Sequence, residues 1–296
     1  MRPGAASRSP ARTRNLVAVA FDLESVLRRD RLVVVIALVA VIVLSWVYVL
    51  AGAGMGMSAF EMTRMTQPVG VIDSTQPSMQ GMSMGGTMIS GVWTVGYAVV
   101  IFFMWWVMMF GMMLPSAAPL LLLFARMMRK EKDKGAPYVP TGVFALGYVI
   151  MWAAFSAIAT GAQWGLEASG LLSGIMVGTS AVLGAGLLIA AGVWQLTPWK
   201  NACLRHCRSP IGFLSAQWRP GRTGAFRMGL VHGAFCLGCC GFLMALLFYG
   251  GVMNLYWIIG LALYILIEKL LQAGARIAQL TGVFLIAWGA ALLIYP

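Results

Sequence analysis

Apolar residues gather in long blocks along this chain, at 32–51, 91–113, 139–160, 173–197, 226–249, 252–270 and 276–295. The second block resumes after a short interruption and runs on to residue 128. A helix rises about 1.5 Å per residue, so a block of about 20 residues matches a hydrocarbon layer about 30 Å thick. The blocks do not alternate polar with apolar positions, as the strands of an outer-membrane barrel do. The pattern therefore predicts an all-α polytopic membrane protein with about seven transmembrane helices, residues 32–296 forming one membrane domain. Pro115 and Pro119 stand four apart in the second block. Each removes a backbone donor, which predicts a kinked second helix with its break toward the cytoplasmic side.

Three polar stretches separate or precede these blocks. Residues 1–31 read as a cytoplasmic tail with a short interfacial helix around 21–29, the run Arg28-Arg29-Asp30-Arg31 leading directly into the first span as in a retained signal anchor. Residues 52–90 form a methionine-rich outer loop, and residues 198–225 a basic cytoplasmic loop containing cysteine and histidine. No internal repeat is evident. Gly161/Gly165, Gly174/Gly178 and Gly229/Gly233 have the spacing of close helix packing.

Composition supports the membrane reading: hydrophobic types make up 60 % and charged types 10 % of the chain, against about 25 % charged in a soluble domain. The net charge of +12 would raise nucleic acid as a partner, but its placement argues otherwise. Of 21 Lys and Arg, 20 fall before the first span, between spans two and three, between four and five, or between six and seven. Only Arg64 lies on the other side. This is the positive-inside pattern of a bacterial plasma membrane protein with its N-terminus in the cytoplasm and its C-terminus outside. Anionic lipid is then the partner of the basic residues, and nucleic acid is not.

The candidate chemistry centres on the fifth span. His232, Cys236, Cys239 and Cys240 share one helix face, and Met228 and Met244 extend it into an unbroken i+4 series. Hydrocarbon offers imidazole and thiol no hydrogen-bonding partner, and sulfur beside imidazole suits Cu(I) or Zn(II). Cysteine and methionine are also ordinary fillers of apolar cores, so the argument rests on the number in register. Cys203, His206 and Cys207 can converge on one helical turn and supply three of four tetrahedral ligands. If the end of span four sits beside the start of span five, Cys203, His206, Cys207 and His232 can complete one site. Thioethers extend the soft-donor pattern outward, with Met82 and Met84 in the outer loop and Met104, Met108 and Met112 down span two. Glu268-Lys269 closes span six, explained by a salt bridge to a basic loop or by snorkelling, and Asn254 is placed to cap that span.

Three stretches resemble the bacterial domain of unknown function 2182 family, described as predicted metal-binding integral membrane proteins. They are Met112 to Pro119, then Gln195-Leu196-Thr197-Pro198 with Lys200 and Cys203 through Pro210, and His232 through Cys240 continuing to Asn254 and Glu268-Lys269. The resemblance implies a metal-binding membrane protein and no particular reaction.

The favoured function is handling of a soft transition metal, Cu(I) ahead of Zn(II), by delivery or transport. A redox or electron-transfer subunit using the thiols is the alternative. It could instead use haem, ranked below a metal ion, since His206 and His232 are the minimum for two axial ligands and both would have to reach one haem, which their spacing does not forbid. A structural partner in a larger membrane protein complex is the third reading. Phosphate-binding loops, hydrolase elbows and paired intramembrane carboxylates are lacking, so nothing argues for an enzyme of those classes.

Overall fold

The computed structural model describes residues 32–65, 93–133, 139–173, 176 and 178–295. The tail with its expected interfacial helix, and Met82 and Met84, lie outside the described residues. Helix α1 covers Leu32–Leu50. It is followed by α2 (Ala59–Met65), α3 (Val95–Asp133), α4 (Thr141–Ala168), α5 (Ala181–Leu196) and α6 (Pro198–Arg208). Then come α7 (Pro210–Gln217), α8 (Gly221–Ala245), α9 (Leu247–Gly250), α10 (Leu255–Leu270) and α11 (Gly274–Ile294). Among the described residues the β-structure is one isolated bridge, Leu172 with Gly178.

Every apolar block contains a helix, but among the described residues only five helices are long and apolar enough to cross a membrane: α1, α3, α4, α8 continued through α9, and α11. The count rises to six if α5 and α6, bent by 68° at Thr197, are taken as one span. α5 and α10 have 16 residues each, about 24 Å of helix against about 30 Å of hydrocarbon. Local chemistry sets these lengths. Ser180 caps α5 by accepting from Leu183 N, and Thr197 followed by Pro198 ends it and caps α6. Gly251, at φ +92°, turns the chain into α10, where Asn254 accepts from Tyr256 N as the spacing predicts.

One expectation about the connections is narrowed and one is corrected. α3 runs as one continuous helix through Pro115 and Pro119, so the helix is not interrupted there. Each proline withdraws one donor, whereas opening the helix in apolar surroundings would strand several backbone groups. The basic stretch after residue 197 is not a loop but the helices α6 and α7. In the outer segment, α2 opens on a reciprocal cap between Ser58 and Glu61. The Ser58 hydroxyl and amide hold the Glu61 carboxyl below the usual carboxylate range.

Two close helix crossings organise the bundle. α4 meets α8 where a Cβ on Gly147 would lie 2.2 Å from Phe226 O, and one on Gly229 2.0 Å from Phe144 O. α5 meets α11 where a Cβ on Gly192 would lie 2.7 Å from Gly282 O. Only glycine allows backbones this near. Of the glycine pairs singled out by spacing, Gly229/Gly233 lies in a crossing, whereas Gly161 and Gly165 face open space. α6 lies along α8, and Trp194 of α5 donates to Gly238 O of α8 at 2.9 Å. These crossings bring α3, α4, α6 and α10 around the middle of α8.

Candidate metal centre

The face of α8 turned inward carries Met228, His232, Cys236, Cys239, Cys240 and Met244, all buried. Around Cys236 the neighbours come from four other helices. Tyr148 OH of α4 lies 3.2 Å from Cys236 Sγ. Lys269 of α10 donates to the same sulfur at 3.0 Å. From α3, Met113 offers its thioether to Cys240 Sγ at 3.7 Å. From α6, Cys207 Sγ lies 3.9 Å from Cys239 Sγ. Four of the five cysteines in the chain and one thioether thus gather at one level of the bundle.

The thiols are engaged with the helix that carries them. Cys239 Sγ and Cys240 Sγ both donate to Cys236 O, at 3.1 and 2.8 Å. Hence no three His, Cys, Asp or Glu side chains stand ready as a metal-binding group among the described residues. All five cysteines are free thiols. The donor set is all sulfur, which suits a soft ion better than a hard one.

The proline segment of α3 supplies support as well as Met113. Ser116 Oγ donates to Met113 O at 2.9 Å and accepts from Lys269 Nζ at 3.0 Å. Tyr148 OH also reaches Met113 O, at 3.4 Å. Pro115 and Pro119 flank these groups within the same helix. Beside the cluster, Lys200 of α6 and Glu268 of α10 form a fully buried ion pair. Tyr264 OH, which accepts from Gln195 Nε2 at 2.8 Å, donates to Glu268 Oε1 at 3.4 Å. The salt bridge read for Glu268 thus joins it to the first basic residue of α6. Snorkelling does not describe Lys269, which is 5 % exposed and turned inward.

The remaining candidates lie nearby but apart. His232 is enclosed by aromatic rings, stacked on Tyr148 at 5.6 Å and edge-on to Phe213 at 5.1 Å, with Nδ1 buried and unpartnered. His206 lies flat on Phe235 at 4.0 Å, and its Nδ1 is 2.8 Å from Ala202 O. Cys203 faces the backbone of Gly238, where an added Cβ would stand 2.8 Å from its sulfur. Cys203, His206 and Cys207 therefore all face α8 but do not converge, and the four-ligand set with His232 is not assembled. Met104, Met108 and Met112 are buried along α3 above Met113. Spacing alone did not distinguish Met113 from its neighbours, nor point to Tyr148 or Ser116; each is identified by contact with α8.

Comparison with known proteins gives one match. The model of a protein family described as PpoB2, copper chaperone, matches residues 102–292, well over half of the chain. That span contains every residue of the sulfur cluster and excludes α1, Met82 and Met84. It fits the metal-related kind of family expected from sequence, under the name PpoB2 and not domain of unknown function 2182. No curated protein and no solved structure matches the chain.

Proposed function

Because the chain belongs to the PpoB2 copper chaperone family, we propose that it is an integral membrane copper chaperone whose cargo is Cu(I). The ligands of the cargo are drawn from a sulfur set made up of Cys236, Cys239 and Cys240 of α8, Cys207 of α6 and the thioether of Met113. The observation that carries this reading is the chain of contacts that joins Cys207, Cys239, Cys236, Cys240 and Met113 across three helices. Thiolate and thioether are the ligands that select Cu(I), and no cluster of carboxylates for a hard cation occurs among the described residues. Cys207 is half-buried and the three α8 cysteines are buried, so exchange with a donor or acceptor runs through α6. Cys203, His206 and His232, with the thioethers of Met104, Met108, Met112, Met228 and Met244, form a surrounding shell of auxiliary soft donors. Met82 and Met84 are outer ligands of the same kind.

The membrane setting is part of the proposal. Seven spans, with the two short helices α5 and α10 completing the five longer ones, place the basic stretches on the cytoplasmic side and the C-terminus outside. The asymmetric placement of Lys and Arg supports this orientation and a bacterial plasma membrane. No step of the proposed role is a chemical transformation, and the reading is of a carrier and not an enzyme.

Metal analysis of the full chain, purified without oxygen in detergent, beside its Cys236→Ser/Cys240→Ser variant, tests this reading. About one copper per chain after Cu(I) loading, lost in the variant, is the expected result. Absence of copper in the loaded wild type refutes it. Zinc in place of copper refutes the choice of cargo and keeps the site.

A further inference from the structure

We propose that Lys269 is the counter-ion of the loaded site and thereby sets the number of thiolates that hold the cuprous ion at two. The proposal rests on the copper reading above and goes beyond it, to the electrostatics that fix the coordination.

Lys269 is the next-to-last residue of α10. A lysine in that position ordinarily carries its charge outward along its flexible stem. Here the stem turns inward instead. The ammonium sits 3.0 Å from Cys236 Sγ and 3.0 Å from Ser116 Oγ, and neither partner bears a permanent charge. The adjacent carboxylate does not serve it, since Glu268 is paired with Lys200. A buried ammonium favours negative charge on the sulfur it touches, so the site is built to hold thiolate beside Lys269.

Charge counting then fixes the ligand number. One Cu(I) with two thiolates carries a single negative charge, which Lys269 cancels. With three thiolates the complex carries two negative charges, and one is left uncompensated in the interior. With one thiolate the complex is neutral, and the ammonium stays unpaired. Further sulfur contacts come as neutral groups, for which the Met113 thioether beside Cys240 is placed. Ser116 keeps the ammonium on the cluster side of α10, which ties the Pro115-Ser116 segment of α3 to the same task.

The test is an anaerobic Cu(I) competition titration against a cuprous chelator, with the full chain in detergent as wild type, Lys269→Leu and Lys269→Arg. The leucine variant removes the charge without adding a sulfur that could itself bind Cu(I), and its affinity is expected to fall by about a hundredfold. The arginine variant keeps the charge and is expected to retain most of the affinity. A leucine variant that binds as tightly as a loaded wild type overturns the assignment alone. A wild type that takes up no Cu(I) overturns the copper reading and this assignment with it. Copper-edge X-ray absorption on the loaded wild type decides the matter without a variant, should Lys269→Leu fail to fold. Two short Cu–S bonds, with or without a longer thioether contact, are expected. Three equal short bonds overturn the proposal.

Discussion

Replacing Gly229 by alanine tests whether the α4–α8 crossing positions the cluster. The added Cβ would stand 2.0 Å from Phe144 O and 3.1 Å from Tyr148 N, where ordinary contact begins at 3.4 Å. The obstacle is backbone, so no rotamer change relieves it, and the helices must part by more than an ångström at this level. Overpacking of this kind costs about 1–3 kcal/mol, and a rigid obstacle puts the cost toward the upper end. Tyr148 sits one turn beyond Phe144 on α4, and its hydroxyl is 3.2 Å from Cys236 Sγ. Parting the helices carries that contact out of hydrogen-bonding range. Gly161 of the same helix is the control, because nothing lies within 4 Å of its Cβ position. Gly161→Ala should be neutral, or stabilising by up to about 1 kcal/mol through helix propensity. Thermal unfolding of the two variants in detergent, followed by circular dichroism, and their Cu(I) affinities form the assay. Equal melting of Gly229→Ala and Gly161→Ala would show that the crossing has room to spare and that the positioning argument is wrong.

Three further outcomes follow from named contacts. Lys200→Met strands the fully buried Glu268 carboxylate and should destabilise the chain by about 3–5 kcal/mol. Adding Glu268→Leu should restore most of that in the same thermal assay, and a double variant no better than the single one would count against the pair. Tyr148→Phe removes one hydroxyl from Cys236 and Met113 O at a cost of about 0.5–1.5 kcal/mol. It should therefore weaken Cu(I) binding several-fold in the chelator titration while leaving the fold intact. Cys203→Ser should keep the full copper content by elemental analysis, because that sulfur packs on Gly238 and not among the other four; loss of copper there would move the site toward the start of α6.

How much of this was legible beforehand differs between the face of one helix and its neighbours. The donor face of α8 could be read because His232, Cys236, Cys239 and Cys240 stand out in an apolar segment, where periodicity alone puts them together. Its partners could not, because Met113, Tyr148, Cys207 and Lys269 come from four other helices and their register is set by backbone approach. The spacing of Gly229/Gly233 matches that of Gly161/Gly165, yet only the first pair lies in a crossing. A four-residue interval says a helix can be approached closely and not whether another helix arrives. The same distinction explains the α6 triad. The i, i+3, i+4 rule puts Cys203, His206 and Cys207 on one side of a turn, and that side faces α8, but α6 lies along α8 and does not point at it. The three side chains are therefore dealt out to Gly238, Phe235 and Cys239. Lys269 shows the limit most sharply. A lysine at a helix end reads as snorkelling unless something inside competes for it. That competitor is assembled by α3 and α8 from Ser116 and Cys236, residues more than 30 positions away in sequence. The chemical inventory of the site is thus a property of single helices, whereas its charge balance exists only once the helices have packed.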